Sequence, residues 1–257
     1  MTGRVAIVSG GTGALGQSVT SRLLAAGAAV AIPYAVPAEL EALRDRLGPA
    51  GSARLHVART DVTDEAAFGA FATGVLDAYG RIDVLVNLVG GFAEGDLAST
   101  PLAEWRRMVD LNLTSAVVGC RAVLPAMTAA GFGRIVNVAS RAVVPPQGGF
   151  IAYTVAKAAV ITLTRELGTA WGRKGIRVNC IAPGPVETEG YLDVLKQAGP
   201  DGKKTYDAIA ARVGMGRWGK VEEIAWPCVF LASDASSWMT GETIVIDGGP
   251  SPREMEG

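Results

Sequence analysis

The chain has one histidine and three cysteines in 257 residues, and its charges nearly cancel. Each scarcity removes a class of chemistry. A Ser-His-Asp triad or a histidine-built metal cluster would have to rest on His56 alone, which lies in an apolar, strand-like stretch and reads as structural. No metal site is expected. Cys120, Cys180 and Cys228 are far apart and form no CxxC pair. Neither a disulfide framework nor a zinc site is expected, and a reducing cytoplasm fits. With 24 Lys and Arg against 25 Asp and Glu, there is no concentrated basic footprint for nucleic acid. No apolar run reaches the roughly 18–20 residues that cross a bilayer. The first such run, Val5 to Val8, leads straight into Gly10 and Gly11, so neither a signal peptide nor a membrane segment is expected.

What remains is a chain 49% apolar, enough for a large packed core. Short apolar runs at Val5–Ser9, 29–33, 54–58, Val84–Asn87, 134–139, 177–182 and 243–247 alternate with amphipathic stretches such as 17–26, 39–47, 64–79, 101–130 and 152–173. This rhythm predicts an α/β, doubly wound, seven-stranded parallel sheet flanked by helices on both faces. Runs such as Val84-Leu85-Val86 are apolar throughout, as strands covered on both sides are. No Pro-, Gly- or Ser-rich linker divides the chain, so residues 1–257 are read as a single domain. Residues 189–218 interrupt the rhythm with Gly199-Pro200-Asp201-Gly202 and Lys203-Lys204, and read as a lid over a substrate.

Ser9-Gly10-Gly11-Thr12-Gly13-Ala14-Leu15-Gly16 follows an apolar strand and opens a helix. Glycines permit a tight turn and close approach of backbone to phosphate, and the helix start adds free N–H groups. The second strand ends at Tyr34 without an adjacent acid to bind adenosine ribose hydroxyls. A 2′-phosphate would meet no repulsion there; Thr12 could donate to it and Arg59 or Arg44 reach in, so NADP(H) is favoured over NAD(H). Asp61, after the third strand, could accept from an adenine amino group, or belong to the start of a helix that Thr63 or Asp64 caps. Small residues in Asn87-Leu88-Val89-Gly90-Gly91 would let backbone pass against the adenosine.

Asn112 lies inside a helical segment, where asparagine is locally unfavourable; it marks a water-held kink or a satisfied polar residue. Ser140 ends the fifth strand. Tyr153 and Lys157, at i and i+4, share a helix face. A phenol near pKa 10 needs a neighbouring cation to exchange protons near neutrality, and a nearby serine can grip a carbonyl oxygen. The loop Pro183-Gly184-Pro185-Val186-Glu187-Thr188 could wrap a nicotinamide carboxamide, or be a simple strand exit.

As an ordered set these residues resemble the short-chain dehydrogenase/reductase family, from Arg4 to Gly249: the glycine turn, Asp61-Val62, Asn87 to Gly91, Asn112, Ser140, Tyr153-x-x-x-Lys157, Pro183-Gly184 with Thr188, Thr240-Gly241 and Asp247-Gly248-Gly249. Ala14, Leu88 and Val89 depart from the usual pattern. The resemblance implies a Rossmann-type fold and a catalytic tetrad. Tyr153 would be the general acid in reduction, Lys157 would lower its pKa and bind the nicotinamide ribose, Ser140 would polarise the carbonyl, and Asn112 would hold a water in a proton relay. Cofactor contacts would come from Gly10, Thr12, Gly13, Leu15, Gly16, Tyr34, Asp61, Val62, Asn87, Val89, Gly90, Tyr153, Lys157, Pro183, Gly184, Val186 and Thr188. The leading reading is an NADP(H)-dependent reductase of a small carbonyl substrate. The alternatives are an NAD-dependent alcohol or sugar dehydrogenase, an enoyl- or dienoyl-thioester reductase, and a dinucleotide-sensing regulator without catalysis. A homotetramer is implied, with helices at 101–130 and 152–173 in one interface. The pocket is expected to include Arg141, Val143, Val144, Gln147, Phe150, Gly91 and Phe92. Tyr191, Met215 and Trp218 of the lid suggest an apolar cavity. Arg141 reads as a surface charge rather than an anchor for an anion. The tail 250–257 is frayed or reaches a neighbouring subunit.

Overall fold

The computed structural model describes residues 1–143 and 148–249. The expectations for Val144, Gln147 and the tail lie outside the described residues. Seven parallel strands, β1 (Val5–Ser9), β2 (Ala29–Tyr34), β3 (Leu55–Arg59), β4 (Val84–Asn87), β5 (Gly133–Val138), β6 (Ile176–Pro183) and β9 (Thr243–Ile246), form one sheet in the order β3-β2-β1-β4-β5-β6-β9. Two short strands, β7 (Val186–Glu187) and β8 (Gly219–Lys220), pair separately. The helices are α1 (Ala14–Ala25), α2 (Pro37–Ser52), α3 (Glu65–Tyr79), α4 (Leu102–Val109), α5 (Ser115–Ala130), α6 (Ile151–Trp171), α7 (Glu189–Gln197), α8 (Gly199–Ala210) and α9 (Val221–Ala232).

Strand side chains alternate between faces, and each face has its own core. Ala6 and Val8 of β1 pack with Val19 and Leu23 of α1 and Ile224 and Leu231 of α9. Val5 and Ile7 pack on the other side with Phe68 and Val75 of α3 and Val123 and Met127 of α5. Fully burying such a side chain is worth about 1.5–3 kcal/mol, and both stripes of β1 from Val5 to Val8 are apolar for this reason. β1 pairs with β2 on one side and β4 on the other. The winding reverses there, which opens a crevice at the strands' carboxyl ends. The glycine turn after β1 and residues 87–91 after β4 both face it.

Three local outcomes differ from expectation. The stretch 39–47 continues as α2 to Ser52, broken at Gly48, whose φ of 65° is left-handed and is followed by Pro49. The segment at Asn112 is a π-helical turn, Asp110–Thr114, between α4 and α5. Together they make a helix, Leu102–Ala130, long and apolar enough by length and composition to cross a membrane. Its apolar side chains explain this: Ala116, Val118, Cys120, Val123 and Met127 are buried, as in the core helix of a globular domain. His56, on β3, lies beside the rings of Phe71 and Tyr79.

Candidate active site

The glycine turn is shaped by two close approaches. Gly10 has a φ of 78° and lies against Val89, whose amide nitrogen is 3.0 Å from the position a Cβ would take. A Cβ on Gly16 would sit 1.9 Å from the carbonyl oxygen of Gly10. At Gly13 the nearest atom to such a Cβ is 3.6 Å away. Gly13 caps α1 without a side-chain acceptor, and no acid lies in the first turn. The free N–H groups and positive end of the helix dipole fit a pyrophosphate. Leu15 packs against the first core.

On the adenosine side, Tyr34 stands opposite Arg59 in register. The hydroxyl of Thr12 donates to Glu39 Oε2 at 2.9 Å, so a carboxylate from the first turn of α2 reaches the glycine turn. Asp61 does not cap α3; Asp64 does, accepting from the amide of Ala67. Asp61 Oδ1 accepts from the amide and hydroxyl of Thr63, which holds its carboxyl below the usual range. Val62 packs in the second core. The Asn87 side chain is buried and donates to Asn137 Oδ1 at 2.9 Å. Asn137 donates in turn to Thr164 Oγ1 of α6 at 3.0 Å. This hydrogen-bonded series ties β4 and β5 to α6. Only the backbone of Asn87 remains for a cofactor.

Ser140, just after β5, lies close to Tyr153. Burial holds the phenol above its ordinary pKa, and the nearby Ser140 hydroxyl pulls the other way. The ammonium of Lys157 donates to the carbonyl of Val138 at 2.9 Å and lies 6.0 Å from the Tyr153 ring centroid. Lys157 is itself buried, which pushes its pKa down to about 8. Asn112 is buried in the π-helical turn. Its amide donates to the carbonyls of Gly91 and Met108, and its Oδ1 accepts from the amide of Gly91. Gly90 fits between the two groups: a Cβ there would lie 2.7 Å from Asn112 Oδ1 and 3.0 Å from Lys157 Nζ. The kink foreseen at Asn112 is thus a π turn clamped onto the loop after β4.

Pro183 closes β6, and the amide of Gly184 donates to the carbonyl of Ile246. A Cβ on Gly184 would strike Asp247 at 2.7 Å. Val186 lies in β7, and Thr188 starts α7 without side-chain capping. Arg141 is not a surface charge: Nε donates to Asp247 Oδ2 at 2.6 Å and both side chains are largely buried. The pair joins the Ser140 loop to the end of β9. Residues 189–218, where a lid was expected, contain α7 and α8. Trp218 is buried and stacks on Tyr206, whereas Met215 is exposed. Glu39, Asn137, Thr164 and Asp247 were absent from the expected set. The terminal Asp247-Gly248-Gly249 motif was the one signal for any of them. Among the described residues no group of His, Cys, Asp and Glu could hold a metal ion.

Residues 11–251 match a family model described as Enoyl-(Acyl carrier protein) reductase. The chain belongs to the short-chain dehydrogenase/reductase family. D-threitol dehydrogenase of Mycolicibacterium smegmatis is 36% identical, covering 97% of this chain and 93% of that protein. Cis-4-hydroxycyclohexanecarboxylate dehydrogenase of Sinomonas cyclohexanicum is 38% identical, covering 96% of each. The crystal structure of levodione reductase superposes with a TM-score of 0.89 at 32% identity, over 97% of this chain and 98% of that one. This short-chain dehydrogenase/reductase is an oxidoreductase that uses a nicotinamide dinucleotide. The cradle at Gly10, Gly13 and Gly16 fits that cofactor.

Proposed function

We propose that the protein interconverts a small ketone and its secondary alcohol, with Tyr153 as the acid in reduction. The closeness of the Ser140 and Tyr153 hydroxyls carries this reading: the serine pulls the phenol's pKa down against burial. Two hydroxyls side by side offer two donors to one carbonyl oxygen, and fixed donors stabilise the developing alkoxide. Bound nicotinamide dinucleotide supplies or accepts the hydride. Tyr153 Oη gives its proton to the substrate oxygen, and Ser140 Oγ holds that oxygen in place. Lys157 Nζ, with Asn112 behind Gly90, supplies the route by which the phenol recovers a proton. The threitol and hydroxycyclohexanecarboxylate relatives are named as dehydrogenases and levodione reductase as a reductase, and this supports carbonyl–alcohol chemistry over reduction of an enoyl thioester.

NADP(H) is the proposed form of the cofactor. Arg59 stands beside Tyr34 and makes no ion pair among the described residues. Glu39 on Thr12 works against a 2′-phosphate, so the preference is expected to be small. A homotetramer is proposed from the exposed Leu102 and Val155 on the two helices expected to pair. The three free, buried thiols fit a cytoplasmic setting. The test is oxidation of NADPH and NADH with a panel of ketones, beside the Tyr153→Phe variant. Alcohol product, abolished in the variant, is expected; unchanged turnover in Tyr153→Phe overturns the acid role.

A further inference from the structure

Five aromatic rings from separate segments form a connected wall. Phe150 meets Phe92 edge to face at 6.1 Å, and Phe92 meets Tyr191 at 6.3 Å. Tyr191 lies against Trp218 at 5.3 Å, and Trp218 stacks on Tyr206 with planes 4° apart. One end of this wall adjoins the catalytic groups. Phe150 immediately precedes α6, the helix of Tyr153 and Lys157. Phe92 follows Gly90 and Gly91, which abut Lys157 and Asn112. Backbone bonds between Gly95 and residues 149 and 151 hold the Phe92 loop against the start of α6. The other end is the lid. Phe92 touches two rings and is still 56% exposed, so an apolar surface stays open between the catalytic side and the lid.

Several polar groups along the lid side are engaged within the protein. Tyr206 Oη donates to Glu187, and Trp218 Nε1 donates to the carbonyl of Tyr206. Arg141 is paired with Asp247, and Arg217 with Glu223. The exposed Glu94 lies on the same loop as Phe92. Phe92 and Phe150 carry no polar side-chain atom and suit a ring-shaped apolar body, packed edge to face. They leave the hydroxyls of a polyol unpaired, which binding penalises, and Glu94 repels a carboxylate.

We infer that the substrate is an uncharged cyclic ketone or cyclic secondary alcohol, alicyclic or aryl, whose ring packs on Phe92 and Tyr191. This rests on the carbonyl–alcohol reading above and adds the substrate class. The test compares cyclohexanone and acetophenone with 2-butanone, dihydroxyacetone and acetoacetate, in the wild-type enzyme and in Phe92→Ala and Phe92→Leu. Binding of cyclohexanol to the protein with oxidised cofactor is measured alongside by calorimetry. The expected result is kcat/KM for the ring ketones at least about tenfold above the dihydroxyacetone and acetoacetate values. Phe92→Ala should raise KM for the ring ketones by about tenfold, raise that for 2-butanone several-fold less and weaken cyclohexanol, with Phe92→Leu between. Preference for dihydroxyacetone or acetoacetate, or an equal loss on all ketones in Phe92→Ala, overturns the ring class and leaves the carbonyl chemistry standing. Cyclohexanol binding that depends on Phe92, without turnover of any ketone, supports the ring site and overturns the chemistry. Neither binding nor turnover overturns both.

Discussion

Lys157 is tied to Val138: its ammonium donates to that carbonyl at 2.9 Å from within the protein. Burial makes the charge costly and brings the pKa down to about 8. The folded state therefore releases this proton more readily than the unfolded chain. Between about pH 8 and the ordinary lysine value of 10.5, the unfolded chain holds more protons, so this group makes stability rise with pH across that window. Below pH 8 the group carries its full penalty. Lys157→Met should raise stability at pH 7 by about 1–3 kcal/mol while abolishing turnover. Thermal unfolding and initial rates check both; a lower Tm in the variant contradicts the account.

Gly90 separates Asn112 from Lys157 with no room for a methyl group. Gly90→Ala should leave the fold intact, shift both side chains and lower kcat by about 10²-fold, the scale at which small misplacements act. Circular dichroism beside steady-state kinetics tests this; near-normal kcat would remove the claim that the three residues form one unit.

Cofactor choice should depend on the balance of Glu39 and Arg59. Removing one charge near the 2′ position changes affinity by about five- to tenfold at the effective dielectric of a protein surface. Glu39→Gln should tighten NADPH, and Arg59→Gln should weaken it, with NADH nearly unaffected by either. Fluorescence titration of the reduced cofactors gives the answer. Equal effects on both cofactors would place these side chains away from the adenosine ribose.

Asp83, just before β4, is buried and accepts from Arg81, Arg4 and the amide of Val5. Burial alone would raise its pKa; the hydrogen bonds outweigh it and hold the carboxyl below the usual value of 3.8. Its contribution is therefore present above about pH 4 and is lost as the pH falls through the folded value. Asp83→Asn should cost about 2–4 kcal/mol at pH 7 by leaving Arg4 and Arg81 without their shared partner, with the loss shrinking towards pH 3. Chemical denaturation at the two pH values measures it.

Much of the sheet is readable from the sequence because its signals are local. Val84-Leu85-Val86 can only be a strand covered on both faces, and the Tyr153–Lys157 spacing places both on one side of α6. What escaped depends on distant partners. Arg141 appears as a lone cation in the sequence, and its counter-charge comes from the final strand. Asn87 sits where a strand ends, and only the sheet's pleat decides that its amide turns towards Asn137. Glu39 looks remote from the glycine turn until α2 folds back over Thr12. α9 was unread, although its apolar residues pack with α1 in one of the two cores.

The π-helical turn at Asp110–Thr114 sets the chain's tolerance of length changes. One extra residue in a helix rotates everything beyond it by about 100°. α4 lies against α6, and α5 against the sheet, because that rotation falls between them. Deleting a single residue there would restore a regular helix, but it would swing Val123 and Met127 off the sheet and carry Asn112 away from Gly91. The segment therefore acts as a reading frame in three dimensions: beyond Asn112 it is the number of residues, more than their identity, that is fixed.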